Sequence, residues 1–183
     1  MSRFPIAPTV DAAPAAAQPL LKAVNAQLGV VPNLFRLLAA TPAGLEGLLG
    51  LSGALGKGTL EPKTRTRIAI TVAEANGCSY CLSAHAYIAS NMTKLSDAEI
   101  TANRGARSED AKADEALAFA RKVVDTRGHV SEADVQAVKA AGYSDAQVLE
   151  IVLHVALNTL TNYVNVVADT DIDFPVLDAA RAA

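Results

Sequence analysis

The residues of this chain best suited to chemistry are two cysteines and a histidine, Cys78, Cys81 and His85. They are three and four residues apart, and side chains at those spacings lie on one face of an α-helix. Asn76 and Gly77 come directly before Cys78 and predict a helix break there. Cys78 is therefore expected at a helix N-terminus, where the dipole and the free N–H groups favour a thiolate. The stripe indicates a nucleophile, a resolving partner and a base, with His85 able to accept the Cys81 proton directly or through water.

The same three residues have other interpretations. They could be buried structural thiols beside a hydrogen-bonded core histidine. They could bind zinc, but zinc commonly takes four ligands, and the remaining histidines, His129 and His154, lack paired ligand spacing. A thioredoxin-like motif needs alternating strands and helices around the cysteine pair, and that alternation is missing. The sequence favours a redox pair without a metal or a cofactor.

The elements that hold this motif are predicted to be helices throughout. The chain is rich in alanine and lacks the alternating pattern that is typical of strands. Glycine, proline and capping signals separate about eight predicted helices, which include residues 62–75, 78–91 and 144–169. Ser96 to Glu99 form a predicted capping box. The fold class is therefore all-α.

One domain is expected over residues 17–183. Residues 1–16 are rich in proline and alanine and are predicted to be extended or loosely ordered. The segments 60–90 and 145–169 share a weak apolar pattern, which is compatible with a diverged internal repeat.

Composition excludes several classes of protein. Hydrophobic residues make up 51% of the 183 residues, and charged residues make up 19%, which argues against a disordered chain. A net charge of −3 and 4% aromatic residues disfavour a nucleic-acid partner. Polar residues interrupt the apolar stretch 148–168, and the N-terminus lacks the apolar core of a signal peptide. We therefore expect a cytoplasmic protein without a membrane partner.

A second polar pattern lies near the C-terminus. Glu150, His154, Asn158 and Asn162 recur every four residues in an otherwise apolar stretch, so they share one face of the predicted helix. This face could be exposed to solvent. Alternatively, it could lie against the cysteine helix or a subunit interface, where His154 and Glu150 would handle protons.

The segment Val72–His85, with the sequence VAEANGCSYCLSAH, resembles the core motif of the alkylhydroperoxidase D-like proteins. These proteins form part of the carboxymuconolactone decarboxylase superfamily, and the similarity is to its peroxidase-related branch. Further resemblance extends over residues 31–36, 41–42, 144–165 and 173–175. The resemblance implies an all-α fold of paired antiparallel helices. It also implies homotrimers or dimers of trimers, with active sites near the subunit contacts.

The resemblance further implies a thiol peroxidase mechanism. Cys81 would attack an organic hydroperoxide and become a sulfenic acid, and Cys78 would resolve it to a disulfide. His85 would help to deprotonate Cys81. A dithiol, such as a lipoylated or thioredoxin-like protein, would reduce the disulfide. A carboxymuconolactone decarboxylase-type lyase and a slow redox-sensing protein are the alternative functions.

The chain departs from the pattern of this family at two positions. The family's relay glutamate usually lies twelve residues before the first cysteine, where this chain has Thr66. Tyr80 stands where some members have a relay histidine. Glu74 is the nearest candidate replacement in the sequence, although it could equally be a solvated carboxylate at the end of a helix. His154 and Glu150 are the other candidates for the proton relay.

Overall fold

The computed structural model describes residues 1–180, and all regular structure in that range is helical. The α-helices are α1 (Gln18–Leu28), α2 (Asn33–Leu38), α3 (Pro42–Leu55), α4 (Pro62–Ala75), α5 (Ser79–Ile88), α6 (Asp97–Arg104), α7 (Ala111–Asp125), α8 (Glu132–Ala140) and α9 (Asp145–Ala168). A π-helical turn, Ala89–Thr93, directly follows α5. The predicted all-α fold is confirmed, with slightly more helices than expected.

Helix α4 lies at the centre of the molecule. Every residue from Thr66 to Ala73 is buried, and a helix that is buried on all sides belongs to the core. It packs against α5, α6, α7 and α9. Because α5 and α9 both contact α4 and each other, the position of the cysteine helix is fixed by the core.

The helix that carries the cysteines ends earlier than predicted. The backbone leaves the α-helical pattern after Ile88, and the π-helical turn ends before Lys94, which has a φ of 57°. Two side chains compete for main-chain carbonyls here, since Asn91 Nδ2 donates to Tyr87 O and Thr93 Oγ1 donates to Ala89 O. Such bonds offer the backbone an alternative to the regular helix.

The predicted capping box at Ser96 is only half formed. The Ser96 hydroxyl accepts a hydrogen bond from Glu99 N, but the Glu99 carboxylate does not return to Ser96. It accepts a 2.6 Å hydrogen bond from Arg67 Nε of α4, and both side chains are almost completely buried. This buried ion pair joins α6 to the central helix. The sequence motif could not reveal it, because the partner lies 32 residues away.

Helix α9 has a buried face and an exposed apolar face. The buried face includes the polar residues His154, Asn158, Asn162 and Asn165, so the interpretation of this stripe as a solvent-exposed surface is wrong. By length and composition alone α9 could cross a membrane, but 39% of its apolar window is buried within the protein. One such helix is weak evidence for a membrane span, and a cytoplasmic location stays a prediction.

The last described residues cross over α5 as an extended segment, here called the C-terminal strap (residues 170–180). The Asp173 carboxylate of the strap accepts a hydrogen bond from the Tyr80 hydroxyl. Leu177 N and Ala179 N donate to the hydroxyls of Ser83 and Ser79 respectively. At the other terminus, residues 1–17 contain turns and no helix. They include the buried residue Ala13, and Arg3 N donates to Ala168 O. The proposed domain division at residue 16 stays a prediction.

Candidate functional site

The connection between α4 and α5 determines where Cys78 lies. Gly77 has a φ of 64°, its N–H donates to Glu74 O, and Cys78 N donates to Ala73 O. These two bonds, with a left-handed glycine between them, form a Schellman motif, which ends a helix. Cys78 follows immediately as the N-cap residue of α5. The sequence Asn76–Gly77 therefore produces the break that was predicted from it.

The two cysteine side chains adjoin each other in the first turn of α5. The Cys78 sulfur accepts a 3.3 Å hydrogen bond from Cys81 N. Both cysteines are free thiols, and they are only 1% and 3% exposed. A disulfide between these positions would close within a single helical turn.

The surroundings shift the pKa values of the two thiols in opposite directions. The Cys78 side chain donates toward Cys81 and lowers the pKa of Cys81, and Asn162, Asn165 and Thr161 lower it further against the opposing effect of burial. The same contact raises the pKa of Cys78, as do burial and the charge on Cys81. Hydrogen bonds to a charged form favour that form. Cys81 is therefore the more acidic thiol of the pair, and Cys78 is the one that keeps its proton to higher pH.

The donors around Cys81 come from the buried face of α9. Asn165 Nδ2 donates to the Cys81 sulfur at 3.2 Å and to Thr161 O at 3.0 Å. Asn76 Nδ2 donates to Asn162 Oδ1 at 2.9 Å and so fixes the orientation of the Asn162 amide. The loop residue Asn76 thus connects the start of the cysteine helix to α9.

His85 lies one turn beyond Cys81, as predicted, and it is half-buried. Burial lowers its pKa to about 4, and an interaction with the Asn158 side chain partly offsets this effect. The imidazole is therefore neutral at pH 7, so no imidazolium cation at His85 stabilises the Cys81 thiolate. The hydrogen-bond donors described above take that role.

Glu74, the first candidate for a replacement relay, is occupied elsewhere. Its Oε2 accepts a 2.8 Å hydrogen bond from Arg104 Nε, and its Oε1 accepts one from Ala180 N. The side chain thus ties α4 to α6 and to the C-terminal strap. Neither interpretation made from the sequence describes this partly buried ion pair, and the carboxylate has no hydrogen bond to a cysteine among residues 1–180.

Tyr80 also has partners other than the cysteines. Its hydroxyl donates to Asp173 Oδ1 at 2.9 Å and accepts a 3.1 Å hydrogen bond from Leu34 N. Burial raises its pKa further above the ordinary range, so the phenol is neutral at pH 7. Its ring packs edge-on against Phe174. In this geometry Tyr80 anchors the strap and the start of α2.

Replacing Tyr80 by phenylalanine is therefore expected to lower the free energy of unfolding by about 1–3 kcal/mol, because Leu34 N loses a buried acceptor. The rate of Cys81 oxidation should stay within about threefold of wild type, since the ring and its packing remain. Chemical denaturation and stopped-flow oxidation measure the two quantities. A large loss of rate at unchanged stability would instead assign Tyr80 to the proton relay.

Glu150 and His154 have no hydrogen bond to each other within residues 1–180, although the charge on Glu150 acts to raise the pKa of His154, and their role in a proton relay stays a prediction. The Glu150 carboxylate accepts hydrogen bonds from Thr59 N, Thr59 Oγ1 and Leu60 N, so it holds the loop between α3 and α4. His154 is buried, and burial lowers its pKa. Its Nε2 has no hydrogen-bond partner within residues 1–180. At the usual position of the relay glutamate, Thr66 Oγ1 donates to Pro62 O of its own helix.

The sequence analysis missed Asn165, Thr161 and Asn76 as neighbours of the cysteines. A signal was present, since Asn162 belongs to the predicted stripe and Asn165 lies one turn further along the same helix. Uncharged amides in an apolar helix must find partners when buried, and here they face the thiolate. In the range that the structure describes, no group of three or more histidine, cysteine or acidic side chains is arranged to hold a metal.

A groove of about 350 Å³ lies on the opposite side of α5 from the cysteines, and Ser83, Tyr87, Asp97 and Leu177 are among the residues that line it. Neither cysteine contributes to its walls. A small molecule that reacts with Cys81 must therefore reach the contact between α5 and α9.

Comparisons with known proteins agree with this architecture. The model of the carboxymuconolactone decarboxylase family matches residues 42–126, from α3 to the end of α7. An uncharacterized peroxidase-related protein from Ralstonia eutropha JMP134, described as an alkylhydroperoxidase AhpD core, is 26% identical with a TM-score of 0.84. The alignment covers 94% of this chain and 92% of that one. No curated protein matches the chain.

Two more distant structures share the fold. A peroxidase-related protein from Silicibacter sp. TM1040 is 24% identical with a TM-score of 0.79, and 93% of this chain and 94% of that one are covered. The debrominase Bmp8, in a complex with 2,3,4-tribromopyrrole, is 20% identical with a TM-score of 0.78, and 94% of each chain is covered.

Fold and motif define an alkylhydroperoxidase D-like protein. The family-model match over residues 42–126 and the similar peroxidase-related structures support the carboxymuconolactone decarboxylase superfamily that the resemblance of the cysteine motif implied. This similarity supports an enzyme with a peroxidase-related or lyase-type function.

Proposed function

We propose that the protein is a thiol peroxidase that reduces organic hydroperoxides through Cys81 and Cys78. The observation that carries this proposal is the environment of Cys81. Its sulfur receives a hydrogen bond from a buried amide, its pKa is lowered, and a protonated second thiol adjoins it. Thiolates are the reactive form of cysteine toward peroxides.

In the first step, the Cys81 thiolate attacks the terminal oxygen of the hydroperoxide. A sulfur–oxygen bond forms, the oxygen–oxygen bond breaks, and its electron pair leaves with the alkoxide. Cys78, whose pKa is raised, gives its proton to the alkoxide and releases the alcohol. Cys81 is now a sulfenic acid, and Cys78 is a thiolate.

In the second step, the Cys78 thiolate attacks the sulfur of the sulfenic acid. A disulfide forms and hydroxide leaves. This hydroxide takes up a proton and becomes water, which balances the proton that Cys81 released at the start. His85 carries the first proton away from Cys81 and delivers the second to the hydroxide. Two thiols and one hydroperoxide thus give one disulfide, one alcohol and one water. An external dithiol, lipoylated or thioredoxin-like, then reduces the disulfide.

A single-turnover experiment tests this sequence of steps. Fully reduced protein receives one equivalent of tert-butyl hydroperoxide, and free thiols and intact mass are followed with time. The proposal predicts the loss of two thiols and of about 2 Da per chain, since two hydrogens leave. Retention of both thiols, with the protein folded and accessible to a small alkylating agent, would contradict it.

The pH dependence of alkylation reports the thiolate directly. Iodoacetamide is expected to modify Cys81 with a midpoint below the ordinary thiol value of 9.0, because the neighbouring donors lower its pKa. Below that midpoint the reaction slows as the thiolate takes up a proton. Replacing Asn165 by leucine removes one donor and should move the midpoint upward. Replacing the exposed Asn25 of α1 by alanine is the control and should leave it unchanged.

A slow redox-sensing protein is the second candidate, and the burial of both sulfurs favours it. Such a protein would form the disulfide but turn over slowly with any reductant. A decarboxylase-type lyase receives no comparable support, since that reaction does not require a cysteine pair.

We also propose that the chain forms a homo-oligomer, with a trimer or a dimer of trimers as the expected assembly. The exposed face of α9 carries apolar residues at alternating spacings of four and three, which is the spacing of a coiled-coil seam. The larger members of this seam are between 45% and 65% exposed. The seam consists of Leu149, Leu153, Ala156, Leu160, Tyr163 and Val167.

Because the seam contains no charged residue, a second copy of α9 is a complementary partner for it. The doubly substituted protein, with Leu153 and Leu160 both replaced by glutamate, is expected to sediment as a monomer of 18.9 kDa. Wild type should sediment as an oligomer. A monomeric wild type, or an oligomer that the double substitution leaves intact, would overturn this interface.

A further inference from the structure

Two buried amide atoms beside Cys81 have no hydrogen-bond partner within residues 1–180. They are Asn162 Nδ2 and Asn165 Oδ1, on side chains that are 0% and 2% exposed. A buried polar atom without a partner costs about 1–3 kcal/mol, and native proteins leave few of them. An unpaired donor and an unpaired acceptor at the same sulfur therefore call for an explanation.

The hydrogen bonds that the two amides already form determine which amide atoms remain available to a ligand. Asn162 Oδ1 accepts from Asn76, so its Nδ2 is turned toward Cys81, whose pKa it lowers without forming a full hydrogen bond to the sulfur. Asn165 Nδ2 donates to Thr161 O and to the Cys81 sulfur, which leaves its Oδ1 as the unused acceptor. Both amides lie one turn apart on the face of α9 that packs against α5.

We propose that Asn162 Nδ2 and Asn165 Oδ1 bind the –O–O–H group of the substrate at Cys81. This inference rests on the proposed peroxidase function and names the part of the molecule that selects its substrate. The terminal hydroxyl of a hydroperoxide donates one hydrogen bond and accepts others, so it fits a donor and an acceptor together. An alkyl halide has no such hydroxyl. The surrounding residues Leu34, Ala73 and Leu82 are apolar and fit an uncharged organic group.

The donor also has a role in the first chemical step. Negative charge passes from sulfur to oxygen as the oxygen–oxygen bond breaks, and a fixed N–H group stabilises that charge in a site that excludes water. Asn76 holds the amide in the required orientation before the substrate arrives. Asn162 thus contacts the reacting atoms, whereas Asn76 acts as a positioning residue.

The test compares two reagents that attack the same sulfur. Cys81 is oxidised by tert-butyl hydroperoxide or alkylated by iodoacetamide, which lacks the –O–O–H group. Both second-order rate constants are measured at a pH where Cys81 is fully ionised in each variant. The informative quantity is the ratio of the oxidation rate to the alkylation rate, because a change in thiolate pKa cancels there.

Replacing Asn162 by leucine is expected to lower this ratio about 10- to 100-fold, since one charge-stabilising donor is lost. Asn162→Ser keeps a hydrogen-bond donor on a shorter side chain, so its ratio should fall less than that of the leucine variant. Asn25→Ala should match wild type. If the leucine variant does not unfold cooperatively, the serine variant decides the question by the same ratio.

An unchanged ratio, with both rates falling together, would overturn the inference and leave the amides as thiolate stabilisers only. A wild-type protein that is alkylated but not oxidised would instead overturn the proposed function, and the inference with it. The wild-type oxidation rate therefore distinguishes the two failures.

Discussion

Replacing Cys81 by serine is expected to abolish oxidation of the protein by organic hydroperoxides, with a loss of roughly 1,000-fold or more in rate. The reason lies in the division of charge between the two thiols. Cys81 has the lowered pKa and receives the amide hydrogen bond, whereas the pKa of Cys78 is raised. A serine hydroxyl at position 81 cannot replace the thiolate, and burial still raises the pKa of Cys78.

The Cys78→Ser variant is the matched control. Its Cys81 should still react once with the hydroperoxide, and the sulfenic acid should accumulate because no thiol is present to resolve it. Trapping with dimedone, followed by peptide mass analysis, measures that species at Cys81. Turnover should be lost in both variants, for different reasons. If the sulfenic acid instead formed at Cys78 in the Cys81→Ser protein, Cys78 would be the cysteine that attacks the hydroperoxide and Cys81 the one that resolves it.

The second large effect concerns stability. Replacing Glu99 by leucine is expected to lower the free energy of unfolding by about 3–5 kcal/mol, because the buried Arg67 is left with only a 3.8 Å contact to the exposed Asp110 carboxylate. The Glu99 carboxylate accepts hydrogen bonds from the Arg67, Asn103 and Ser108 side chains and from Glu109 N. These bonds join α4, α6 and the segment before α7.

A double replacement, Arg67→Met with Glu99→Leu, should recover much of that loss, since no uncompensated charge remains. The exposed ion pair between Arg121 and Asp125 provides a second control, and Asp125→Ala should change stability little. Urea denaturation of each variant measures these differences. A Glu99→Leu protein as stable as wild type would show that the buried pair does not hold α6 to the core.

The same carboxylate gives stability a defined pH dependence. Burial alone would raise the pKa of Glu99, but the hydrogen bonds from Glu109, Ser108, Asn103 and Arg67 lower it from 4.5 to about 2. Because the folded-state pKa lies below the unfolded one, the stabilisation is fully present well above pH 4.5 and is lost as the pH falls through that value toward 2. The Glu99→Leu variant should lack this part of the acid dependence.

The sequence was a good guide where the signals are local. The Asn76–Gly77 break and the spacing of Cys78, Cys81 and His85 depend only on helix geometry, and the structure has the same arrangement. The all-α class followed in the same way from composition and capping signals. Whether the α9 stripe is buried could not be predicted from the sequence, because the burial of a helix face depends on which helices pack against it.

The partners of the Glu74 and Glu150 carboxylates could not be predicted for a related reason. Glu74 pairs with Arg104, 30 residues away, and Glu150 holds a loop some 90 residues away. Long charged side chains choose partners that the tertiary fold brings within reach. Asn165 illustrates the same limit at the site itself, since its contact with Cys81 spans 84 residues.

The most direct test of the peroxidase assignment is steady-state consumption of an organic hydroperoxide by the wild-type protein, with dihydrolipoamide as the reductant. The account predicts many hydroperoxide molecules reduced per chain, with the disulfide between Cys78 and Cys81 as the intermediate. Cys81→Ser protein in parallel should show only the background rate. Consumption that stops after one equivalent, in folded protein with the reductant in excess, would contradict a peroxidase and favour a redox sensor.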